Sequence, residues 1–190
     1  MTRRSYIALL MLFIAALAGC TATGGAETPA ASTGAEDSAA ADYCTESGGV
    51  VETRYPFYGT NNADPLQLSG SLAVCTFTAE DSSRISVGLD TLYTNQPTLA
   101  ALTNQTQTPL KSKPPTTNPS SFYCTQLEGT DAFGGINAAG GGWGLDGAAD
   151  VFSLCVFPDL SVIDSWGITY HSDGSIRGTD LNDLFRFQQE

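Results

Sequence analysis

Cys44 and Cys75 stand 31 residues apart, and Cys124 and Cys155 repeat that interval 80 residues further along the chain. Their neighbours repeat with them. Tyr43-Cys44-Thr45 recurs as Tyr123-Cys124-Thr125, Gly49 falls on Gly129, and Cys75-Thr76-Phe77 falls on Cys155-Val156-Phe157. A shared offset at both cysteines, with aromatic neighbours kept, reads as a duplicated module. Any fold for this chain must therefore be built twice over.

The fifth cysteine, Cys20, has another setting. Arg3 and Arg4 give a basic start, Tyr6 to Leu17 is an almost unbroken apolar run, and Leu17-Ala18-Gly19 lead into Cys20. This is an export signal, to be set aside before fold reasoning. Its apolar run is about a dozen residues where a spanning helix needs ~20. Leu-Ala-Gly-Cys resembles the bacterial lipobox. The resemblance implies cleavage before Cys20, a diacylglycerol on its sulfur and an acylated amine. Each buried CH₂ adds ~0.8 kcal/mol, so two or three chains anchor stably where one does not. Thr2-Arg3-Arg4-Ser5-Tyr6-Ile7 also looks like a twin-arginine signal. The strong apolar run and the missing downstream lysine favour the general export route.

In an exported chain, an even set of cysteines at a repeated spacing implies disulfides. Three pairings are possible for the four that remain. A duplicated module should keep its own bridge, so the expectation is Cys44–Cys75 and Cys124–Cys155. A loop of this size contributes ~3.5–4 kcal/mol in the chain-entropy account. A metal site is the rival reading, but there is no C-x-x-C pair and one histidine, His171. Neither metal nor cofactor is expected.

The chain carries a net charge of −12, which becomes −14 once Arg3 and Arg4 are removed. Such a balance disfavours nucleic acid and anionic membrane surfaces as partners. It suits solubility, or a basic partner.

The organisation reads as a signal (1–19), a flexible tether (20–42), module one (43–107), a Pro-rich connector (108–117) and module two (118–190). The tether holds no large apolar residue to offset its ordering entropy. In module one, a short helix over 43–48 ends at Gly48-Gly49, and 50–58 is β-rich. Residues 71–78 alternate as a strand. Residues 84–93 form a second strand, and Pro97 opens a short helix to Leu102. In module two, Asn118-Pro119 starts a helix. Gly134 to Gly147 reads as a loop, 151–157 and 162–170 as strands, and Thr179 as the cap of a last helix with Leu181, Leu184 and Phe185 inward. The fold class is α+β: two related small modules, each a short helix followed by an antiparallel β-meander, stapled by a disulfide. Whether the two sheets join or pack face to face is open.

Module two has a recognisable outline: Asn118-Pro119-Ser120-Ser121-Phe122-Tyr123-Cys124, then Leu154-Cys155-Val156-Phe157-Pro158-Asp159, then Ile163-Asp164-Ser165-Trp166. It resembles the small bacterial lipoprotein domain of unknown function that carries the label hemolysin, here as a divergent tandem repeat. Leu160 stands where that pattern has a glycine after Pro-Asp, and Glu128-Gly129 where it has a glycine pair. The resemblance implies an anchored, disulfide-bonded envelope protein and no established activity. Nothing in the sequence looks like a pore: there is no spanning segment and no long alternating hairpin.

Chemistry candidates are sparse. Gly142-Trp143-Gly144-Leu145-Asp146-Gly147 fits G-x-G-x-x-G by letter but lacks the strand before it and the helix after it. It reads as a loop with an aromatic tip, and Trp143 is the candidate partner contact. His171 is the one histidine available to a Ser-His-Asp set, no G-x-S-x-G elbow accompanies it, and it reads as a surface residue. Asp146 with Asp150, and Asp180 with Asp183, could pair for acid–base work or calcium, but turn and cap duty explains them. Trp166 reads as core, with Asp164 facing out. No catalytic residue is assigned. The expected function is a non-catalytic envelope module held to the bilayer by acylated Cys20, binding an envelope protein or ligand or contributing to envelope structure. The alternatives are an inhibitor or sensor of an envelope enzyme working through Trp143, and a hydrolase using His171.

Overall fold

The computed structural model describes residues 38–131, 133 and 139–188. Cys20, the signal and most of the expected tether lie outside the described residues. The chain is α+β, as the repeat implies, and both expected disulfides are present: Cys44–Cys75 and Cys124–Cys155.

Each module starts with a helix laid on its own disulfide. Helix α1 (Ala39–Glu46) begins inside the expected tether, because the Ser38 side chain accepts a hydrogen bond from the Ala41 amide and Ala40 and Ala41 are buried. Its counterpart α4 (Pro119–Gln126) is capped by Asn118 with Pro119 at the first position, as expected. Both end alike: the Gly49 amide donates to Cys44 O and the Gly129 amide to Cys124 O, each at 2.9 Å. These two glycines are required by space. A Cβ on Gly49 would meet Cys75 Sγ at 2.3 Å, and one on Gly129 would meet Cys155 Sγ at 2.4 Å.

The strands then form one antiparallel sheet. Module one contributes β1 (Val50–Tyr58), the short β2 (Leu66–Gln67), β3 (Leu72–Thr78) and β4 (Arg84–Gly88). Module two contributes β5 (Thr130–Asp131), β6 (Gly141–Leu145), β7 (Ala149–Phe152), β8 (Leu154–Val156) and β9 (Val162–Asp164). The order is β5-β8-β9-β4-β3-β1-β6-β7, with β2 beside β1.

The modules meet at two strand pairs: β1–β6, where β6 and β7 of module two extend the far edge of module one, and β4–β9, the seam where the repeated strands meet. Cys75 lies opposite Val87 and Cys155 opposite Ile163, so Val87 and Ile163 are the same position of the repeat. They are also each other's partner across the seam. A local two-fold axis therefore passes between them, and the modules join edge to edge. One buried cluster runs through both, including Cys44, Val87, Tyr123, Cys155 and Ile163. The modules also interlock: Leu99 N and Ala100 N, at the start of α3 (Leu99–Thr106), donate to Asp159 and Ser161 of module two.

Several expectations are corrected. Residues 84–93 and 162–170 are not strands throughout. Each strand stops early, at Gly88 and Asp164, and turns directly into a helix: α2 (Leu89–Tyr93) and α5 (Ser165–His171). Asp164 drives the second switch, since its side chain accepts from Trp166 N and Gly167 N. The helix expected from Pro97 begins at Leu99 instead, capped by Thr98, and runs on to Thr106. Of the expected Gly-rich loop, residues 134–138 lie outside the described residues, and Gly141–Leu145 is a strand, β6, paired with β1 on one side and β7 on the other. Its glycines permit that crowding: a Cβ on Gly142 would meet Val151 Cγ1 at 2.5 Å and Phe152 O at 2.8 Å. The last helix is absent and turns take its place, although Leu181 and Phe185 do face inward and are buried.

Candidate functional site

One face of the sheet carries the disulfides and the helices. The other carries a polar row. Strand β1 presents Glu52 and Arg54, β3 presents Thr76, β4 presents Ser86 and Arg84, and β9 presents Asp164. Strand β7, at the end of the sheet order, adds Asp150 and Phe152, which reach Arg54 and Arg84.

Arg54 is fully buried, and every one of its nitrogens is engaged. Nε donates to Glu52 Oε2 at 3.1 Å, Nη1 to Asp150 O at 2.7 Å, and Nη2 to Asp150 Oδ2 at 2.9 Å and to Glu52. Its guanidinium carbon sits 4.6 Å from the centre of the Phe152 ring. Asp150 also takes a bidentate pair from Arg84. Arg84, opposed by burial but joined by Arg54, holds the Asp150 carboxyl down to about 2. Asp150 sits at φ 52, a left-handed conformation that an aspartate tolerates better than most residues. Thr76 donates to Glu52 at 2.7 Å, so Ser86, 2.8 Å from Thr76, must donate to it. A buried charge is tolerable only when paired and hydrogen-bonded in this way.

Beside this closed network lies a cleft of about 100 Å³ lined by Arg84, Ser86, Phe152, Asp164, Trp166 and Arg177, with Arg54 at its base. Two groups there are not fully engaged. Asp164 is only 9 % exposed, and both of its hydrogen bonds fall on Oδ1, leaving Oδ2 without a partner among the described residues. Burial pushes its carboxyl up to about 6, against the pull of the Gly167 and Trp166 amides and of Arg177 and Arg84. Arg177 stacks on Tyr170 at 4.9 Å and makes no ion pair or hydrogen bond among the described residues. Phe152 and Trp166 also line an adjoining cavity of about 490 Å³, with Thr60, Pro65, Val151 and Ser153.

The residues singled out in the sequence fall elsewhere. Trp143 is half-buried in β6, its ring edge-on to Phe133 at 6.4 Å, so it is not a loop tip. His171 is buried rather than on the surface, 2.8 Å from Gln107 Nε2, and it lines neither cavity. Asp164 is buried and Trp166 half-exposed, the reverse of the expectation, because the helix begins between them. Asp146 and Asp180 do turn duty, accepting from Gly147 N and Asn182 N, whereas Asp150 is the centre of the ion-pair network. Among the described residues no cluster of His, Cys, Asp and Glu could hold a metal, and no helix is long and apolar enough to cross a membrane.

No family model, curated protein or solved structure matches this chain. The site must therefore be read from its chemistry.

Sequence reasoning missed Arg54, Arg84, Asp164 and Arg177. Two signals were present. Glu52 and Arg54 are two apart in a β-rich run, which puts opposite charges on one strand face. Asp164 precedes Ser-Trp-Gly at a strand end, which is a helix-start signal.

Proposed function

We propose that this chain is a lipid-anchored module on the extracytoplasmic side of a bacterial membrane that binds a ligand without transforming it. The anchor rests on the sequence, through the Leu17-Ala18-Gly19-Cys20 motif behind a short apolar run. The binding role rests on the cleft, where the unpaired guanidinium of Arg177 and the unused oxygen of Asp164 stand over a rigid base of paired arginines. Convergent polar groups in a concave site, one with a strongly displaced pKa, are the physical mark of a binding site. The buried position of His171, outside the cleft, supports a role without catalysis. The likeness of module two to the hemolysin-labelled lipoprotein domain agrees with an envelope location.

Two measurements test this reading. Mass spectrometry of the protein from its own membrane should find two or three acyl chains on Cys20, and a free Cys20 thiol would end the anchor proposal. A thermal-shift screen of envelope-derived sugars, peptides and phosphates should find a compound that stabilises the wild type but not Trp166→Ala with Arg177→Ala. Turnover of that compound would overturn the non-catalytic reading.

A further inference from the structure

The charges around the cleft are countable. Arg54 and Arg84 are neutralised by Glu52 and Asp150, through three ion pairs. Among the described residues that line the cleft, Arg177 is the remaining cation and Asp164 the remaining acid. With Asp164 protonated the cleft carries a surplus of one positive charge, and with Asp164 ionised it carries none. A single monoanionic group neutralises the cleft when Asp164 is protonated. A phosphate dianion would leave the cleft negative, in a place where an unpaired charge is costly.

The size of the cleft sets the next limit. About 100 Å³ admits a carboxylate and little more. Phe152 and Trp166 also line the adjoining cavity of about 490 Å³, which has room for the rest of the ligand. That cavity offers the hydroxyls of Thr60 and Ser153 and, among the described residues, no charged side chain. Its volume suits a small ligand of one or two rings. A flat-faced, neutral, hydroxyl-bearing body next to aromatic side chains, ending in one carboxylate, describes a sugar acid.

We propose that this site binds an acidic sugar, with the carboxylate held by Arg177 against Asp164 and the ring packed on Phe152 and Trp166. The inference rests on the binding reading above and specifies its ligand. A planar guanidinium matches a carboxylate through two parallel hydrogen bonds, which a lysine cannot reproduce. A protonated Asp164 adds a donor; an ionised one adds repulsion. The net charge of the whole chain acts against any anion at long range, but within about 8 Å at physiological salt the local groups decide.

The test is calorimetric titration of the protein with D-glucuronate, glucose, glucose 6-phosphate and triglycine. Glucuronate should bind at least about tenfold more tightly than the other three, a difference of ~1.4 kcal/mol. Arg177→Ala should remove at least that factor, and Arg177→Lys should restore only part of it. Binding should tighten at least about fivefold from pH 7.5 to pH 5, because Asp164 gains its proton there while a sugar carboxylate stays ionised. The other charged groups facing Asp164 are Arg84 on β4, Arg54 on β1, Asp150 on β7 and Arg177 after α5. Arginines stay charged throughout that range, and Asp150 is held near 2. Asp164→Asn should abolish the pH dependence, and it carries the test if Arg177→Ala fails to fold by circular dichroism. The inference is overturned if glucose matches glucuronate, if a folded Arg177→Ala binds as well as the wild type, or if no compound of the four binds. If triglycine or glucose 6-phosphate binds best, and does so through Arg177, the acidic-sugar inference falls while the binding reading stands.

Discussion

Val87 and Ile163 face each other across the seam and are the same position of the duplicated module. Both are fully buried. One core shared through this pair predicts a single cooperative unfolding transition for the two modules. Ile163→Ala should cost about 2–4 kcal/mol in urea denaturation, and a double-mutant cycle with Val87→Ala should show coupling beyond additivity. Two separated transitions, or strict additivity, would mean that the modules hold themselves together independently.

Gly129 and Gly49 lie under the two disulfides with no room for a methyl group. Gly129→Ala and Gly49→Ala should each destabilise the oxidised protein by about 1–3 kcal/mol, as overpacking does. The effect should shrink when Cys124 and Cys155, or Cys44 and Cys75, are replaced by alanine in the same chain, because the obstructing sulfur is then gone. An equal loss with and without the sulfurs would assign the cost to the backbone.

Leu160 is the most exposed large apolar residue described, at 81 %, and it sits at φ 65. It closes the β8–β9 turn through its amide, 2.9 Å from Phe157 O. Ser82, at φ 66, closes the matching turn of module one. A leucine in the left-handed region costs roughly 1 kcal/mol relative to glycine. Leu160→Gly should therefore raise the unfolding free energy by about 1 kcal/mol, with a melting temperature about 2–5 °C higher. A lower melting temperature would show that the exposed side chain contributes a contact.

Asp164 and Asp150 give stability opposite dependences on pH. Asp164 titrates near 6 in the folded protein, above its ordinary carboxylate range, because of burial. Folding takes up a proton between about pH 4 and pH 6, and stability falls as pH rises through that window. Asp150 titrates at about 2, below its ordinary range, chiefly because of Arg84. Its contribution is present above about pH 4 and is lost as pH falls toward 2. Denaturation midpoints across pH should therefore peak near pH 4 for these two groups. Asp164→Asn should flatten the upper limb and leave the protein up to about 2–3 kcal/mol more stable than the wild type at pH 7. An upper limb that persists in Asp164→Asn would place the titrating group elsewhere.

The duplicated frame was legible because its signals are local. The Asn118-Pro119 cap, the alternation over 72–78 and the paired cysteines each specify structure within a few residues. The strand-to-helix switches were not legible, because Val162 to Tyr170 is rich in β-branched and aromatic residues and only the capping role of Asp164 breaks the strand. Strand β6 was hidden by its glycines, which usually mark loops and here serve close packing against Val151 and Phe152. The cleft could not be read at all. Arg54, Arg84, Asp150, Asp164 and Arg177 are spread over 124 positions, and the pairing of β4 with β9 and the reach of Asp150 from β7 to Arg54 and Arg84 bring them together.

The two-fold relation at the seam also explains why, among the described residues, the acid that lines the cleft at Asp164 has no counterpart at Gly88. Gly88 and Asp164 are matched positions, each opening the helix after its strand. So are Ser86 and Val162. On one side of the axis stand Ser86 and Asp164; on the other, Gly88 packs against Val162, where a Cβ would approach Val162 Cγ2 to 2.7 Å. A pair of identical chains joined through the same strand would have to carry the same residues on both sides. It would have either two aspartates or none beside the axis. Fusion of the two copies into one polypeptide removes that restriction, so one half of a symmetric frame can specialise while the other remains scaffold.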